Sequence, residues 1–247
     1  MNKLLTTVFL TAFLLPASSF AEEASADSIR AAIDHPERRA EDKERDAGRK
    51  PAEVLAFLGL EPGMTALDLA ASGGWYTEVL SFAVGEKGKV YAQNSPGFLQ
   101  YNDGVYEKAI SERLAGNRLQ NVSRVNTEFA DMDLNNSVDV AITALNFHDI
   151  YHRSPEAAVD MLKAVKSALK PGGVLGLIDH NGKPGADNVS LHRMPKAQAI
   201  EAAKKAGFEV TESDLLANSE DDHTAMVFAP NMRGNTDRFL LKLTKPE

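Results

Sequence analysis

Apolar residues along this chain fall into two alternating kinds of run. Short, nearly unbroken stretches such as TALDLA (65–70), VDVAITAL (138–145) and VLGLID (174–179) are separated by segments in which apolar residues recur every third or fourth position. The first kind predicts strands buried on both faces, the second amphipathic helices. PAEVLAFLG opens with Pro51 at a first helical turn and closes at Gly59. A helix over 75–83 leads through GEKG to the strand KVYAQN (89–94), a helix over 106–115 and a short strand near 123–128. Ser154 and Pro155 supply the cap and first position of a helix whose apolar face is Ala158, Met161, Leu162, Val165 and Leu169, with KPGG after it. A helix over 195–206 stops at Gly207, then FEVTES and RFLLKLTKP (238–246) give two strands with no helix between them.

Strands alternating with helices predict a doubly wound, mostly parallel sheet, here of seven strands. The last two strands add an antiparallel C-terminal hairpin, and a helical extension precedes the whole. There is no internal repeat or low-complexity linker, so residues 51–247 read as a single α/β domain.

The N-terminus changes this picture. Residues 1–21 carry one basic residue, Lys3, then an apolar run over 4–15, Pro16, and small residues to Ala21. That is the pattern of a secretory leader cleaved after Ala21, and the run is short for a membrane anchor. The expected location is periplasmic or secreted, with no membrane association after cleavage. Without Lys3 the formal net charge of −8 becomes one unit more negative, which argues against a nucleic-acid partner. The chain has no cysteine, which excludes a disulfide scaffold, thiol catalysis and cysteine metal sites. Residues 22–50 are charge-dense and predicted helical, with Glu41/Arg45 and Asp46/Lys50 one helical turn apart. Two readings stay open for them: a solvated helix, or a lid that brings Arg45 or Arg49 to a pocket.

Ligands of doubly wound sheets bind outside the carboxyl ends of the strands. The first strand runs into Asp68-Leu69-Ala70-Ala71-Ser72-Gly73-Gly74, which reads D-x-A-x-S-x-G rather than the G-x-G-x-x-G of a dinucleotide fingerprint. A carboxylate there repels a pyrophosphate and suits a cation, so the implied ligand carries an ammonium or sulfonium group.

Taken with RKPAEVLAFLGLEPGMTALDL, GGWYTEVL, GKVYAQNSP, NFHDIYHRSP, LKPGGVLGLIDH, LHRM and TDRFLLKLTKP, this loop makes residues 45–247 resemble class I S-adenosylmethionine-dependent methyltransferases. More narrowly, the chain is similar to exported bacterial methyltransferase-like proteins of unassigned substrate. The resemblance implies S-adenosylmethionine as cofactor and a small molecule or protein side chain as methyl acceptor. It implies that Asp68 handles the methionine end, and that Ala70, Ser72 and Gly74 (with Gly73) occupy the glycine-loop positions. Asn94 falls where the ribose is usually bound, Asp131 where the adenine amino group is, and Asn146 on the cofactor cleft; Trp75, at the start of the loop helix, is either core packing or a wall of that cleft. Acceptor choice is expected to lie in segments 27–50, 95–105, 183–193 and 217–237.

Four of the six histidines, His148, His152, His180 and His192, fall on connections at one predicted edge of the sheet. One of them, oriented by Asp149 or Asp179, is suited to act as general base. Tyr76 and Tyr151 are candidates to flank the transferred methyl. Two other readings are a ligand-binding protein that has lost turnover and a metal-dependent hydrolase with His148, His152, His180 and Asp149 as ligands. No compact metal motif such as H-E-x-x-H is present, and no metal is expected from the methyltransferase reading.

Overall fold

The computed structural model describes residues 17–247, so the expected leader lies outside the described residues apart from its last few positions. Helices α1 (Ala17–Ile33), α2 (Ala40–Lys43), α3 (Asp46–Arg49) and α4 (Pro51–Leu58) precede strand β1 (Thr65–Leu69). Helix α5 (Trp75–Val84), β2 (Lys89–Gln93), α6 (Pro96–Leu114), β3 (Val122–Val125) and β4 (Val138–Ala144) follow. The second half holds α7 (Phe147–Arg153), α8 (Pro155–Ala168), β5 (Leu169–His180), α9 (Asn188–Leu191), α10 (Lys196–Lys205), β6 (Glu209–Ser213) and β7 (Arg238–Thr244).

Among the described residues the seven strands form one sheet of order β3-β2-β1-β4-β5-β7-β6. The first five are parallel, and β7 runs antiparallel to both β5 and β6. The order reverses between β1 and β4, where Asp68 pairs with Ile142 and Leu69 with Thr143, so the crevice expected of such sheets opens there. Successive residues point to opposite faces. Ala66, Val140, Ile142 and Leu240 bury against α1, α4 and α5; Leu67, Ala141, Leu175 and Leu241 bury against α8 and α10. The near-continuous apolar runs of the sequence are thus explained by helices on both sides of the sheet.

The expected elements differ in four places, the first being residues 147–153, where helix α7 carries His148, Asp149 and His152 in place of a connection. KPGG does not simply end a helix: β5 begins at Leu169 and takes those residues in, with a register shift opposite Val138 and Gly172 at φ 70°. Leu169, expected on a helix face, is therefore the first residue of a strand. Helix α6 starts at Pro96, capped by Ser95 Oγ, and breaks over Tyr101–Gly104 before continuing. The N-terminal extension is not one helix, so the turn-spaced pairs Glu41/Arg45 and Asp46/Lys50 do not form. Instead Arg38 donates to both oxygens of Asp46 (2.7 and 2.8 Å), Arg45 lies 3.6 Å from Asp42, and Lys50 donates to the Leu215 carbonyl.

The extension is fastened to α5 and α6 by buried charge. Asp42 accepts from Arg113 at 2.7 Å, its carbonyl accepts the Trp75 indole N–H at 3.0 Å, and Arg113 also pairs with Glu78. A second buried pair holds the long connection between β6 and β7. Arg193, fully buried, donates to both oxygens of Asp221 (2.8 and 3.1 Å) and to the carbonyls of Asn181 and Ala225. Removing one partner of such a pair leaves a desolvated charge uncompensated. Asp221→Ala is expected to lower unfolding free energy by about 3–5 kcal/mol, read by denaturant titration, whereas a change below about 1 kcal/mol would mean the connection is held otherwise.

Candidate active site

A cavity of about 1040 Å³ lies at the carboxyl ends of β1, β4 and β5. Its floor is Asp68 and the loop from Leu69 to Gly73, and one wall is Ala144, Leu145 and Asn146. Arg45 and Arg49 of the extension, Tyr106 of α6, Phe228 and Arg233–Thr236 of the β6–β7 connection, and Arg238 at the start of β7 complete it.

The loop is built under strain. Ala70 and Ser72 sit at φ 48° and 52°, in the left-handed region where a Cβ is disfavoured by about 1–2 kcal/mol per residue. The end of β2 holds them there. Ala70 N–H donates to Gln93 Oε1 (3.0 Å), Ala71 N–H to the Gln93 carbonyl (2.9 Å) and Ser72 N–H to Asn94 Oδ1 (2.8 Å), while Asn94 Nδ2 donates back to the Ser72 carbonyl (3.3 Å). Four hydrogen bonds at about 0.5–1.5 kcal/mol net each are enough to offset the two strained residues. At Gly74, φ is 80°, which favours glycine, and an added Cβ would also meet the terminal methyl of Ile110 at 2.5 Å, so that side chain would have to shift. Leu145, at the end of β4, also has positive φ (64°) and lines the same cavity.

Asn94, expected at the ribose, has its amide buried and hydrogen-bonded to Ser72 and does not line the cavity; in this structure it clamps the loop. Asp131 is exposed beyond β3 and likewise does not line the cavity. Asp68, Ala70, Ser72, Gly73, Trp75 and Asn146 do line it, and Gly74 caps α5 directly behind. Burial pushes the Asp68 carboxyl up to about 7, against the stabilising Thr77 hydroxyl that donates to it at 2.6 Å. Tyr76 also lines the cavity, with its phenol raised to about 12 by burial, whereas Tyr151 packs near Phe147 in the core.

The cavity wall is unexpectedly cationic. Arg45, Arg49, Arg113, Arg233 and Arg238 all line it, against the carboxylates of Glu44 and Asp68. Arg49 stacks on Trp75, 4.4 Å from its ring centroid, and burial together with the charge of Arg45 lowers its pKa to about 10. Sequence reasoning singled out Arg45 and Arg49 but missed Arg113, in α6, Arg233, in the β6–β7 connection, and Arg238, which opens β7 within TDRFLLKLTKP. Of the four segments expected to shape acceptor choice, residues from 27–50, 95–105 and 217–237 reach the cavity, and none from 183–193 does.

The histidines do gather. Around His148 the ring centroids of His152, His180 and His192 lie 6.2, 6.1 and 5.7 Å away. Among the described histidines only His180 lines the cavity, with Nδ1 2.8 Å from the Thr236 hydroxyl and its pKa pushed down to about 4 by burial. His152 Nε2 is 2.7 Å from the Arg193 carbonyl, which ties that ring to the main chain. His148 is oriented by Asp179, a buried carboxylate that accepts the His148 and His180 main-chain N–H groups and lies 2.8 Å from His148 Nδ1. Burial opposes a charge on His148, but the hydrogen bond and charge of Asp179, with Asp149, raise its pKa overall. Asp149, exposed, and His192, half-buried, stand beside it.

No protein-family model matches the chain, and no curated protein matches it in sequence. Solved structures match it in fold. An S-adenosylmethionine-dependent methyltransferase from Aquifex aeolicus superposes with a TM-score of 0.61 at 23% identity over 89% of this chain and 97% of its own. An arsenic(III) S-adenosylmethionine methyltransferase from Chlamydomonas reinhardtii gives 0.51 at 18% identity, over 89% and 73%. The cyclase SpnF gives 0.58 at 14% identity, over 93% and 96%. The chain therefore has the class I methyltransferase fold: a Rossmann-like seven-stranded sheet with antiparallel C-terminal strands.

If the clamp carries the loop, Asn94→Ala will lower stability by about 1–3 kcal/mol, the cost of stranding a buried main-chain partner. Ser72→Gly in that background will restore part of the loss by removing the strain. Equal effects of Ser72→Gly in both backgrounds, measured by a double-mutant cycle, would show that clamp and strain are not coupled.

Proposed function

We propose that this protein transfers a methyl group from S-adenosylmethionine to a small-molecule or side-chain acceptor, with His180 as the base. Fold alone does not carry this reading, since a cyclase shares it. The observation that carries it is Asp68: a buried carboxyl at the end of β1, facing a cavity floored by a loop of small residues, with its charge disfavoured until a cation arrives. The ammonium and sulfonium of the cofactor supply that cation. The residues present suit the methionine end, with Asp68 for the ammonium and the small side chains of Ala70, Ser72 and Gly73 giving close approach. On the side covered by α6 the cavity offers Val105, Tyr106 and Ala109, an apolar and aromatic wall suited to a base.

When bound, the cofactor supplies an activated methyl; the chain's own part is to align the acceptor and take its proton. His180 borders the cavity unprotonated, its pKa pushed down to about 4 by burial and its ring fixed by Thr236. As so weak a base it takes the acceptor's proton only as methyl transfer makes that proton acidic. One observation favours the alternative of a ligand-binding protein without turnover: burial lowers the basicity of His180, the histidine that borders the cavity, to a pKa of about 4.

The N-terminal pattern supports export to the periplasm. Mass spectrometry of the chain recovered from a periplasmic fraction is expected to begin at Glu22, and an intact Met1 terminus there would overturn the leader.

The pH dependence of binding tests the role of Asp68. Its folded pKa, about 7, lies above the unfolded value near ~4, so its contribution to stability is full below ~4 and is lost as pH rises through about 7. A cation that binds ionised Asp68 reverses that preference. Calorimetry with S-adenosylhomocysteine should show affinity rising by up to about tenfold per pH unit between about pH 5 and 7, and Asp68→Asn should flatten the profile. His180→Ala should keep this binding and lose turnover across an acceptor panel. Absence of binding at millimolar ligand would sink the methyltransferase reading, and binding without turnover by the parent protein would favour the binding protein.

A further inference from the structure

The histidine cluster holds a polar atom that the methyl-transfer reading does not use. His148 Nε2 is buried, its side chain 2% exposed, and finds no hydrogen-bond partner among the described residues. Its ring orientation is fixed from the other side. Asp179 already accepts two main-chain N–H groups, so the hydrogen bond at His148 Nδ1 is donated by the ring. In the neutral ring the Nε2 lone pair then points outward, and the nearest charged atom it meets is Asp149 Oδ1 at 3.3 Å. His192 Nδ1 lies 3.5 Å from the same oxygen, and the three ligand atoms all fall within 4.8 Å of one another. A neutral His148 therefore aims a buried, unpartnered acceptor at the point where Asp149 and His192 converge, an arrangement that a bound cation would satisfy.

The geometry points to a divalent first-row transition-metal site formed by His148 Nε2, Asp149 and His192 Nδ1. Nitrogen and oxygen donors about 2.0–2.2 Å from a tetrahedral zinc ion lie roughly 3.4 Å from one another, close to the two separations found here. Two imidazoles and one carboxylate form the donor set of zinc and its first-row neighbours rather than of magnesium or calcium, which take oxygen ligands. Asp179 behind His148 is the carboxylate that orients a metal-binding histidine and raises its basicity. The metal reading of the sequence named His152 and His180 with His148 and Asp149. The structure turns those two rings to Arg193 and Thr236 instead and brings His192 in.

Three protein donors leave an open position on the ion, as in sites where a metal polarises a bound oxygen. His192 packs against Phe228 (ring centroids 5.0 Å apart), and Phe228 lines the cavity, so the metal site adjoins the proposed acceptor space. Metal binding is read without turnover, so it stands or falls separately from methyl transfer.

The test uses the full chain purified without chelator or affinity tag, stripped and then titrated with zinc by calorimetry. One equivalent should bind, and His192→Ala and Asp149→Ala should each abolish it. Both residues are exposed enough for the variants to fold, which circular dichroism checks. Asp179→Asn should weaken zinc affinity about 10–100-fold. Cobalt in place of zinc should give visible ligand-field absorption in the parent protein that both ligand variants lose. No zinc binding by the parent protein, or one equivalent that survives both substitutions, would overturn the site.

Discussion

The site depends on one local constraint: a left-handed backbone imposed on two residues that are not glycine. Ala70 and Ser72 hold their conformation because Gln93 and Asn94, at the end of the neighbouring strand, satisfy the main chain of the turn. That clamp sets the height of the cavity floor, the position of Asp68 beneath it and the start of α5, where Trp75 anchors the N-terminal extension. Gly74 completes the constraint by letting Ile110 and Arg113 of α6 close over the back of the loop. Floor, wall and cover are therefore mechanically continuous, and a change in the loop reaches each of them.

The same constraint explains what sequence could and could not reveal. Strand order and the closing hairpin were legible because buried strands between helices leave continuous apolar runs, as in VDVAITAL and VLGLID. The loop and Asp68 were legible because they are contiguous. The clamp by Asn94 was not legible, because its position after β2 says only that it lies near the loop, while the direction of its amide is decided by Ser72 across the strand gap. The convergence of four histidines was visible as a shared edge, but their division of labour was not. His152, His180 and His148 are distinguished by partners far away in sequence: the Arg193 carbonyl, the Thr236 hydroxyl and the Asp179 carboxylate. Nor does any spacing announce that Arg193 and Asp221 meet in the interior, although this pair pins the connection that roofs the cavity.

Asp179 ties the two parts of the edge together. It lies between His180, which borders the cavity, and His148, which faces Asp149 and His192, and it accepts a hydrogen bond from the main chain of each. Neither histidine can shift without disturbing that carboxylate. Through it the end of β5 orients a ring on α7, so the crevice between β4 and β5 is fixed by charge as well as by strand pairing.

The cationic lining has a kinetic consequence. The chain as a whole carries a formal charge of −8, so an anion in bulk solution meets a repulsive field. At the mouth, where Arg45 and Arg233 line the entrance side and Arg49 and Arg238 lie deeper, the sign of the field reverses. Salt screens the first effect most, because exposed charges beyond about 10 Å are quenched at 0.1 M, while the guanidinium groups inside the cavity are partly shielded from solvent. Ionic strength thus acts in opposite senses on how often an anionic guest reaches the entrance and how firmly it is retained, which separates capture from residence in this fold.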